Sequence, residues 1–347
     1  MEISLKTIRL KKRHPFTISR GTRTHSENVF LFVSDGIHTG VGEFDPAHTG
    51  EDAELAIQQA QSSLQGFLAQ HDIAKLSIHD VWQMARVDNM RPTAQAGLDI
   101  ALWDLYGKQT GQPCYRLFGL KKESVPTSIT LGITPLELIP ERLEELLRDR
   151  RFRYLKIKLG SPAGIDFDKE AFRLIKSVAA PYQVGLRVDA NGGWSLADAK
   201  LMCQFLAAES VDYIEQPLHK EMDEALPELF KHRPLPIFVD ESCQFASDVA
   251  RFAACADGIN VKLMKCGGLT EALRMVATAR AVGLQTMIGC MSESSISISA
   301  AASIGALFDH IDLDSHFNLD PDPASGAILT NGSVIPTDSS GHGAALC

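Results

Sequence analysis

The sequence lacks the features that would place the protein in a membrane, outside the cell or on a nucleic acid. No apolar run approaches the roughly 18–20 residues of a membrane span. The segment up to Phe16 alternates apolar and polar side chains, so we expect a strand there rather than an export signal. The net charge of −9 argues against nucleic acid and anionic membranes as partners.

Cysteine and basic clusters are also scarce. The seven cysteines are odd in number and scattered, and no two have the CxxC spacing of a zinc or redox motif. We therefore expect free thiols in a reducing cytoplasm. A short basic cluster, Lys11, Lys12 and Arg13, is interpreted as the solvated end of a strand rather than as a binding patch.

The chain is long enough for one large domain and one smaller domain. It has 347 residues, of which 45% are hydrophobic and 22% charged, as in globular proteins. Two β-rich runs surround a turn near Asp35-Gly36, and residues 51–70 and 92–110 have helical periodicity. We predict an α+β capping domain over residues 1–120. The tail, about 318–347, has weak strands and is expected to pack back on this domain.

The pattern changes over residues 121–317, where short β-rich runs alternate with helical segments. The runs are SITLGI, YLKIKLG, VGLRVDANGG, VDYIEQPL, PIFVDES, GINVKLMKCGG, LQTMIGCMSE and HIDLD. This alternation predicts parallel strands, and eight of them close a barrel. An open doubly wound sheet is disfavoured because no phosphate-binding glycine loop follows the first strand. The predicted fold is α/β, a modified (β/α)₈ TIM barrel with an N-terminal α+β cap.

Charged residues end five successive strand-like runs: Lys158, Asp189, Glu215, Asp240 and Lys265. Their intervals of 31, 26, 25 and 25 residues are those of single βα units. Because barrel active sites lie at the carboxyl ends of the strands, we expect these side chains in one mouth. One such residue alone is more often a helix cap than a ligand, but capping does not explain five in phase.

The order of these residues predicts a metal site between two lysines. Three carboxylates in one mouth repel each other unless a cation lies among them. Oxygen ligands without histidine or cysteine favour Mg²⁺, with Mn²⁺ as the alternative. Lys158 and Lys265 come from the flanking strands, so we expect them to face opposite sides of a ligand bound to the metal.

This arrangement predicts proton transfer at a carbon next to a carboxylate. A neutral lysine accepts a proton, and Mg²⁺ or a second lysine such as Lys156 or Lys262 lowers its pKa. A protonated lysine on the other face returns a proton and inverts the carbon, while the metal stabilises the enediolate. Lys156 and Lys158 alternate along one strand, so both side chains should point into the barrel.

The segments KIKLG, VDANGGW, IEQPL, VDES and KLMKCGG resemble the enolase superfamily, in its muconate lactonizing enzyme subgroup. The helix ALWDLYGK resembles the capping domain of that family, and the resemblance spans nearly the whole chain. It implies an essential Mg²⁺ on the three carboxylates and acid/base roles for the two strand-end lysines. Asn191 is implied as a support of the metal site.

Within the subgroup the eighth strand is the most informative, and here it reads Asp312-Leu313-Asp314. Dipeptide epimerases carry such a pair, which holds the free ammonium of the N-terminal residue. Two carboxylates on one face near the mouth favour a cation, although they could instead close a loop. The resemblance therefore implies an isomerase that inverts the α-carbon of the C-terminal residue of a dipeptide.

Segment 17–23 resembles the specificity loop of L-Ala-D/L-Glu epimerases. Arg20 or Arg23 is expected to bind a second carboxylate, although an exposed arginine without such a role is equally compatible with the sequence. Thr130 and Ser292 are further candidates to line the pocket. These residues favour L-Ala-D/L-Glu as substrate. The sequence does not distinguish a monomer from a homo-oligomer.

Three other activities are compatible with parts of this pattern. An N-acylamino acid racemase would have no use for the Asp312/Asp314 pair. An o-succinylbenzoate synthase or a muconate cycloisomerase would keep the metal ligands and both lysines. A binding protein that kept the fold would be favoured by the loss of one lysine, but both are present.

Overall fold

The computed structural model describes residues 1–47 and 51–347. Its N-terminal unit is an antiparallel three-stranded sheet in the order β1-β2-β3, followed by helices. The elements are β1 (Glu2–Ile18), β2 (Gly21–Ser34), β3 (Thr39–Phe44), α1 (Ala53–Gln70), α2 (Ile78–Val87), α3 (Pro92–Thr110) and α4 (Cys114–Leu117). The predicted helices over 51–70 and 92–110 are confirmed as α1 and α3, whereas α2 was not predicted.

Helix α3 joins the cap to the rest of the protein. It begins at Pro92, where the missing N–H costs nothing, and ends at Gly111 in the left-handed region. One face packs on β3 so closely that a side chain at Gly42 would collide with the carbonyl oxygen of Gly97. The opposite face carries the buried Asp99, which accepts hydrogen bonds from the backbone and hydroxyl of Thr270. The cap is therefore fixed to the second unit.

The second unit is a parallel eight-stranded barrel, as predicted. Its strands are β4 (Ser128–Leu131), β5 (Tyr154–Lys158), β6 (Gly185–Asp189), β7 (Ile214–Glu215), β8 (Ile237–Val239), β9 (Gly258–Lys262), β10 (Gln285–Gly289) and β11 (His310–Asp312). They are hydrogen-bonded in sequence order from β4 to β11. A bridge between Thr127 and Ile311 brings the last strand next to the first.

Helices lie between the strands and cover the barrel. They are α5 (Ile139–Leu147), α6 (Ile165–Ala179), α7 (Leu196–Ala208), α8 (Leu226–Lys231), α9 (Ala246–Val249), α10 (Leu263–Cys266), α11 (Leu269–Ala281) and α12 (Ser295–Ala302). Most barrel strands are buried on both faces, so their apolar residues form near-continuous runs. No described helix combines the length and apolar character needed to cross a bilayer.

The C-terminal segment returns from the barrel to the cap. It contains β12 (Ala324–Ser325), β13 (Ile328–Thr330), β14 (Ser333–Ile335) and β15 (Ala345–Leu346). The backbone of Leu319 forms a bridge with Lys12 of β1, and the backbone N–H of His342 donates to Asp104 of α3 at 3.0 Å. The C-terminal segment therefore contacts both β1 and α3 of the cap.

Candidate active site

Three buried carboxylates meet at the carboxyl ends of adjacent strands. Asp189 and Glu215 are the last residues of β6 and β7 and are partners in the parallel register, while Asp240 directly follows β8. All three are fully buried. One oxygen of each lies within 4.8 Å of those of the other two. The predicted convergence of strand-end acids is present in this geometry.

Lys158 and Lys265 lie at the two ends of this row of acids. Lys158 ends β5, and its Nζ is 2.5 Å from Oδ2 of Asp189. The Nζ of Lys265 is 2.5 Å from Oδ1 of Asp240. Because β5 and β9 flank the three acid-bearing strands, the two amines face each other across the carboxylate cluster.

The expectation that Lys265 ends a strand is wrong. Strand β9 ends at Lys262, and Lys265 lies one turn later in α10, which stops at Gly267 in the left-handed region. The turn directs Nζ back toward the mouth, where it donates to the carbonyl oxygens of Asn260 and Cys243 at 3.0 and 3.1 Å. A helical turn therefore gives this lysine the position that a strand end gives Lys158.

Two further lysines, Lys156 on β5 and Lys262 on β9, compensate the charge of the three acids. Nζ of Lys156 lies 2.7 Å from Glu215, 3.3 Å from Asp189 and 2.6 Å from Asp312. Burial acts to lower the pKa of Lys156, but these carboxylates outweigh it and raise the pKa well above its usual value. Lys262, 2.6 Å from Asp240, has a raised pKa for the same reason. Both side chains are therefore ammonium ions at neutral pH.

The three acids differ in how well the lysines compensate their charge. Burial disfavours ionisation of Asp189, but Lys158 and Lys156 outweigh it and lower the pKa below its usual value. Burial also disfavours ionisation of Asp240, but Lys262 and Lys265 outweigh it and lower the pKa well below its usual value. Burial and the neighbouring Asp189 instead raise the pKa of Glu215 to about 8. The middle carboxylate is thus the least compensated of the three.

Two asparagines orient the carboxylates. The backbone and side chain of Asn191 donate to the two oxygens of Asp189 at 2.8 and 3.3 Å. Asn260 on β9 donates to Oε1 of Glu215 at 2.7 Å, a contact that the sequence analysis missed. Its position two residues before Lys262 places both on the inner face of the strand, and this alternation was the available signal.

Asp312 and Asp314 lie on the other side of the mouth, at and just beyond the end of β11. The backbone N–H of Thr130 on β4 donates to Oδ2 of Asp314 at 2.6 Å, and its hydroxyl lies 3.4 Å from Asp312. Burial and the adjacent Asp312 raise the pKa of Asp314 to about 6. The contact of Lys156 balances part of this charge, and both acids line the cavity.

Both candidate arginines of the cap already have carboxylate partners. Nη1 of Arg20 is 2.7 Å from Oε1 of Glu241. The guanidinium of Arg23 donates to both oxygens of the buried Asp45, at 2.7 and 3.2 Å. Neither arginine is an uncommitted clamp for a second substrate carboxylate in this geometry.

A cavity of about 640 Å³ connects these groups beneath the cap. This volume lies within the ~300–1,000 Å³ that is usual for small-molecule sites. The lining includes Lys158, Lys265, Asp240, Asp312 and Asp314 from the barrel. The cap contributes further residues, listed here: Lys12, Phe16, Ile18, Arg20, Arg23 and Ala47.

Comparisons with known proteins agree with this architecture. A family model of the mandelate racemase/muconate lactonizing enzyme N-terminal domain matches residues 2–119. An enolase C-terminal domain-like model matches residues 139–347. A protein of Roseobacter litoralis named hydrophobic dipeptide epimerase is 54% identical over 346 residues, which cover 100% of this chain and 99% of the relative.

Two other similar proteins cover the same length. A Flavobacteria bacterium protein, also named hydrophobic dipeptide epimerase, is 51% identical over 100% of this chain and 98% of its own. The crystal structure of a dipeptide epimerase from Cytophaga hutchinsonii, complexed with Mg and D-Ala-L-Val, has a TM-score of 0.91 and 27% identity, covering 99% and 95%. The chain therefore belongs to the mandelate racemase/muconate lactonizing enzyme family of the enolase superfamily.

Proposed function

We propose that the protein is a Mg²⁺-dependent dipeptide epimerase that inverts the α-carbon of the C-terminal residue. The observation that carries this proposal is the placement of Lys158 and Lys265 at opposite ends of one carboxylate cluster. Such a pair removes a proton from one face of a bound carbon and supplies one to the other. The names of the similar proteins, which are epimerases of dipeptides, support it.

The donor set fits Mg²⁺. Asp189, Glu215 and Asp240 offer only carboxylate oxygens, are fully buried, and lie close enough together to share one ion. Hard oxygen donors of this kind suit Mg²⁺, and the neighbour from Cytophaga hutchinsonii is complexed with Mg. When bound, Mg²⁺ would stabilise the negative charge that develops on the substrate carboxylate.

The two lysines exchange acid and base roles between the epimers. For one epimer, a neutral Nζ of Lys158 takes the α-proton, so the C–H bond breaks and an N–H bond forms. The ammonium of Lys265 then donates its proton to the opposite face of the same carbon, which gives the other epimer. The reverse direction uses the same two groups in exchanged roles.

Asp312 and Asp314 would hold the free ammonium of the N-terminal residue. These two buried carboxylates contact Lys156, Thr130 and the weak thiol donor of Cys290, and they have remaining capacity for a cation. A positive charge placed there favours the ionised form of Asp314. This pair distinguishes a dipeptide from an N-acylated amino acid, which carries no such charge.

For the C-terminal residue we propose side chains that are apolar along most of their length. The sequence favoured glutamate through Arg20 or Arg23, but the pairing of these arginines with Glu241 and Asp45 weakens that argument. Ile18 and other apolar side chains line the cap side of the cavity. Both relatives described above, at 54% and 51% identity, are named hydrophobic dipeptide epimerases.

The test is a screen of dipeptides in D₂O with the purified protein and Mg²⁺. We expect one deuterium at the α-carbon of the C-terminal residue and a second diastereomer in the product, measured by mass spectrometry and chiral chromatography. L-Ala-L-Leu and L-Ala-L-Glu compare the two side-chain classes. Dehydration or ring closure, or exchange without a second diastereomer, would contradict the proposal.

A further inference from the structure

Lys12 is the one member of the basic N-terminal cluster that points into the protein. Lys11 and Arg13 are exposed, but Lys12 is only 6% exposed. Alternation along β1 explains the difference, since neighbouring residues of a strand face opposite sides. The interpretation of the cluster as a solvated strand end is therefore wrong for Lys12. Its backbone bridge to Leu319 holds the side chain over the barrel mouth, where it lines the cavity.

The ammonium of Lys12 has an incomplete set of partners. Its Nζ donates to the hydroxyl of Ser292 at 2.9 Å. Among residues 1–47 and 51–347, no carboxylate lies within 4.0 Å of it. Burial, and then the charge of Arg23, lower the pKa of Lys12 to about 8, so it is mostly protonated at pH 7. A buried ammonium has three N–H donors and is stabilised when a ligand accepts from the others.

Ser292 is held in place by the cap. Its carbonyl oxygen accepts from the side chain of Asn28 at 2.7 Å, and the same amide donates to the buried Glu43. Glu43 also accepts from the backbone and hydroxyl of Ser294, at the start of α12. The cap therefore holds the backbone of Ser292 in place, and its hydroxyl meets the ammonium of Lys12 on the cavity wall.

The strand order shows which part of the substrate reaches this group. The metal ligands on β6 to β8 and the acids at the end of β11 lie on opposite sides of the ring, so they set the directions of the substrate carboxylate and ammonium. Lys158, at the end of β5, and Lys265, just after β9, occupy the two faces at right angles to that line. Because the barrel interior is packed, the remaining substituent, the side chain, points to the cap.

We propose that Lys12 and Ser292 bind an oxygen atom at the far end of the side chain of the C-terminal substrate residue. The pocket would then select a side chain that is apolar where it contacts the pocket walls and that ends in a hydroxyl or carboxylate oxygen. Such an oxygen supplies the acceptor that the ammonium of Lys12 lacks. This inference rests on the proposed dipeptide epimerase function and adds a specificity determinant to it.

The test compares matched substrates that differ only at the end of the side chain. L-Ala-L-Tyr is compared with L-Ala-L-Phe, and L-Ala-L-Glu with L-Ala-L-Met, each by kcat/KM for α-deuterium incorporation. In the unmodified enzyme we expect at least one oxygen-bearing member to be favoured about tenfold or more. The first pair reports a phenol and the second a carboxylate as the bound oxygen.

Variants assign the preference to Lys12. In Lys12→Met the favoured ratio should fall toward one, and Lys12→Arg should retain more of it. Ser292→Ala should lower the same ratio by a smaller factor, and it provides a second readout if Lys12→Met does not fold by circular dichroism. Ratios near one for both pairs in the unmodified enzyme, or a ratio unchanged in Lys12→Met, would overturn the inference.

The outcome for the proposed function is separate. If no dipeptide, including L-Ala-L-Leu, is epimerised by the unmodified enzyme, the proposed function itself fails. If the apolar dipeptides are epimerised but the matched ratios show no preference, only the role of Lys12 and Ser292 fails.

Discussion

Removal of one of the two lysines should separate proton exchange from inversion. In Lys158→Ala, Lys265 still lies against Asp240 at the other end of the carboxylate cluster. The epimer whose α-hydrogen faces Lys265 should therefore still exchange that hydrogen with solvent. No acid remains on the opposite face, so the proton returns to the same side and the configuration is retained. Lys265→Ala should exchange the other epimer instead.

The size of the effect follows from the contacts of Lys158. Loss of a positioned acid or base costs about 10²–10⁴-fold, so inversion should slow by that factor. Lys158→Ala should lower the free energy of unfolding by less than the ~3–5 kcal/mol that is typical when a buried ion pair loses one partner. The reason is that Asp189 keeps Lys156 at 3.3 Å and the backbone N–H of Asn191 at 2.8 Å.

The assay uses each epimer of one dipeptide separately in D₂O. Mass spectrometry measures deuterium uptake, chiral chromatography measures inversion, and circular dichroism confirms that each variant is folded. Exchange of the same epimer by both variants would contradict the assignment of the two lysines to opposite faces. Inversion of both epimers by Lys158→Ala at the rate of the unmodified enzyme would contradict it equally.

Three other outcomes are expected. Asp312→Asn should lower kcat/KM for a dipeptide by about tenfold or more because the substrate ammonium loses a charged partner. Any kcat/KM measured for an N-acetylated amino acid, which carries no ammonium, should fall much less, and equal losses would argue against an ammonium site. Exhaustive chelation should abolish epimerisation and added Mg²⁺ should restore it, while activity that survives chelation would exclude the metal. Arg23→Met removes both guanidinium hydrogen bonds of the buried Asp45, which keeps the backbone N–H of Ala47 at 3.4 Å, and should lower the free energy of unfolding by about 3–5 kcal/mol in urea titrations. The control Arg20→Met, at a side chain 39% exposed, should cost about 1 kcal/mol or less, and equal losses would contradict this ranking.

The arrangement of the barrel could be predicted because its sequence signal is periodic. One charged residue per βα unit locates the strand ends, and parallel strands bring their carboxyl ends to one rim. Asp189, Glu215 and Asp240 therefore converge without any information about side-chain packing. Asn260 also points to the inside of the barrel, but it is uncharged and so does not belong to the periodic series of charged residues.

Contacts between distant segments could not be predicted in this way. The partners of Arg20 and Arg23 are ordinary acids. Glu241 meets Arg20 through the docking of the cap on the barrel, whereas Asp45 meets Arg23 through the pairing of β2 with β3 inside the cap. The basic cluster, taken as a unit, predicts a solvated strand end, whereas strand alternation separates its members and buries Lys12. Lys265 shows a further limit, since residue spacing does not distinguish a strand end from a helical turn that brings Nζ to the same place.

A crystal structure of the protein with Mg²⁺ and a bound dipeptide tests the central geometry most directly. We expect one ion among the three carboxylates and the two Nζ atoms of Lys158 and Lys265 on opposite faces of the same α-carbon, each within about 3–3.5 Å of it. Both amines on one face, or an α-carbon in contact with neither, would contradict it.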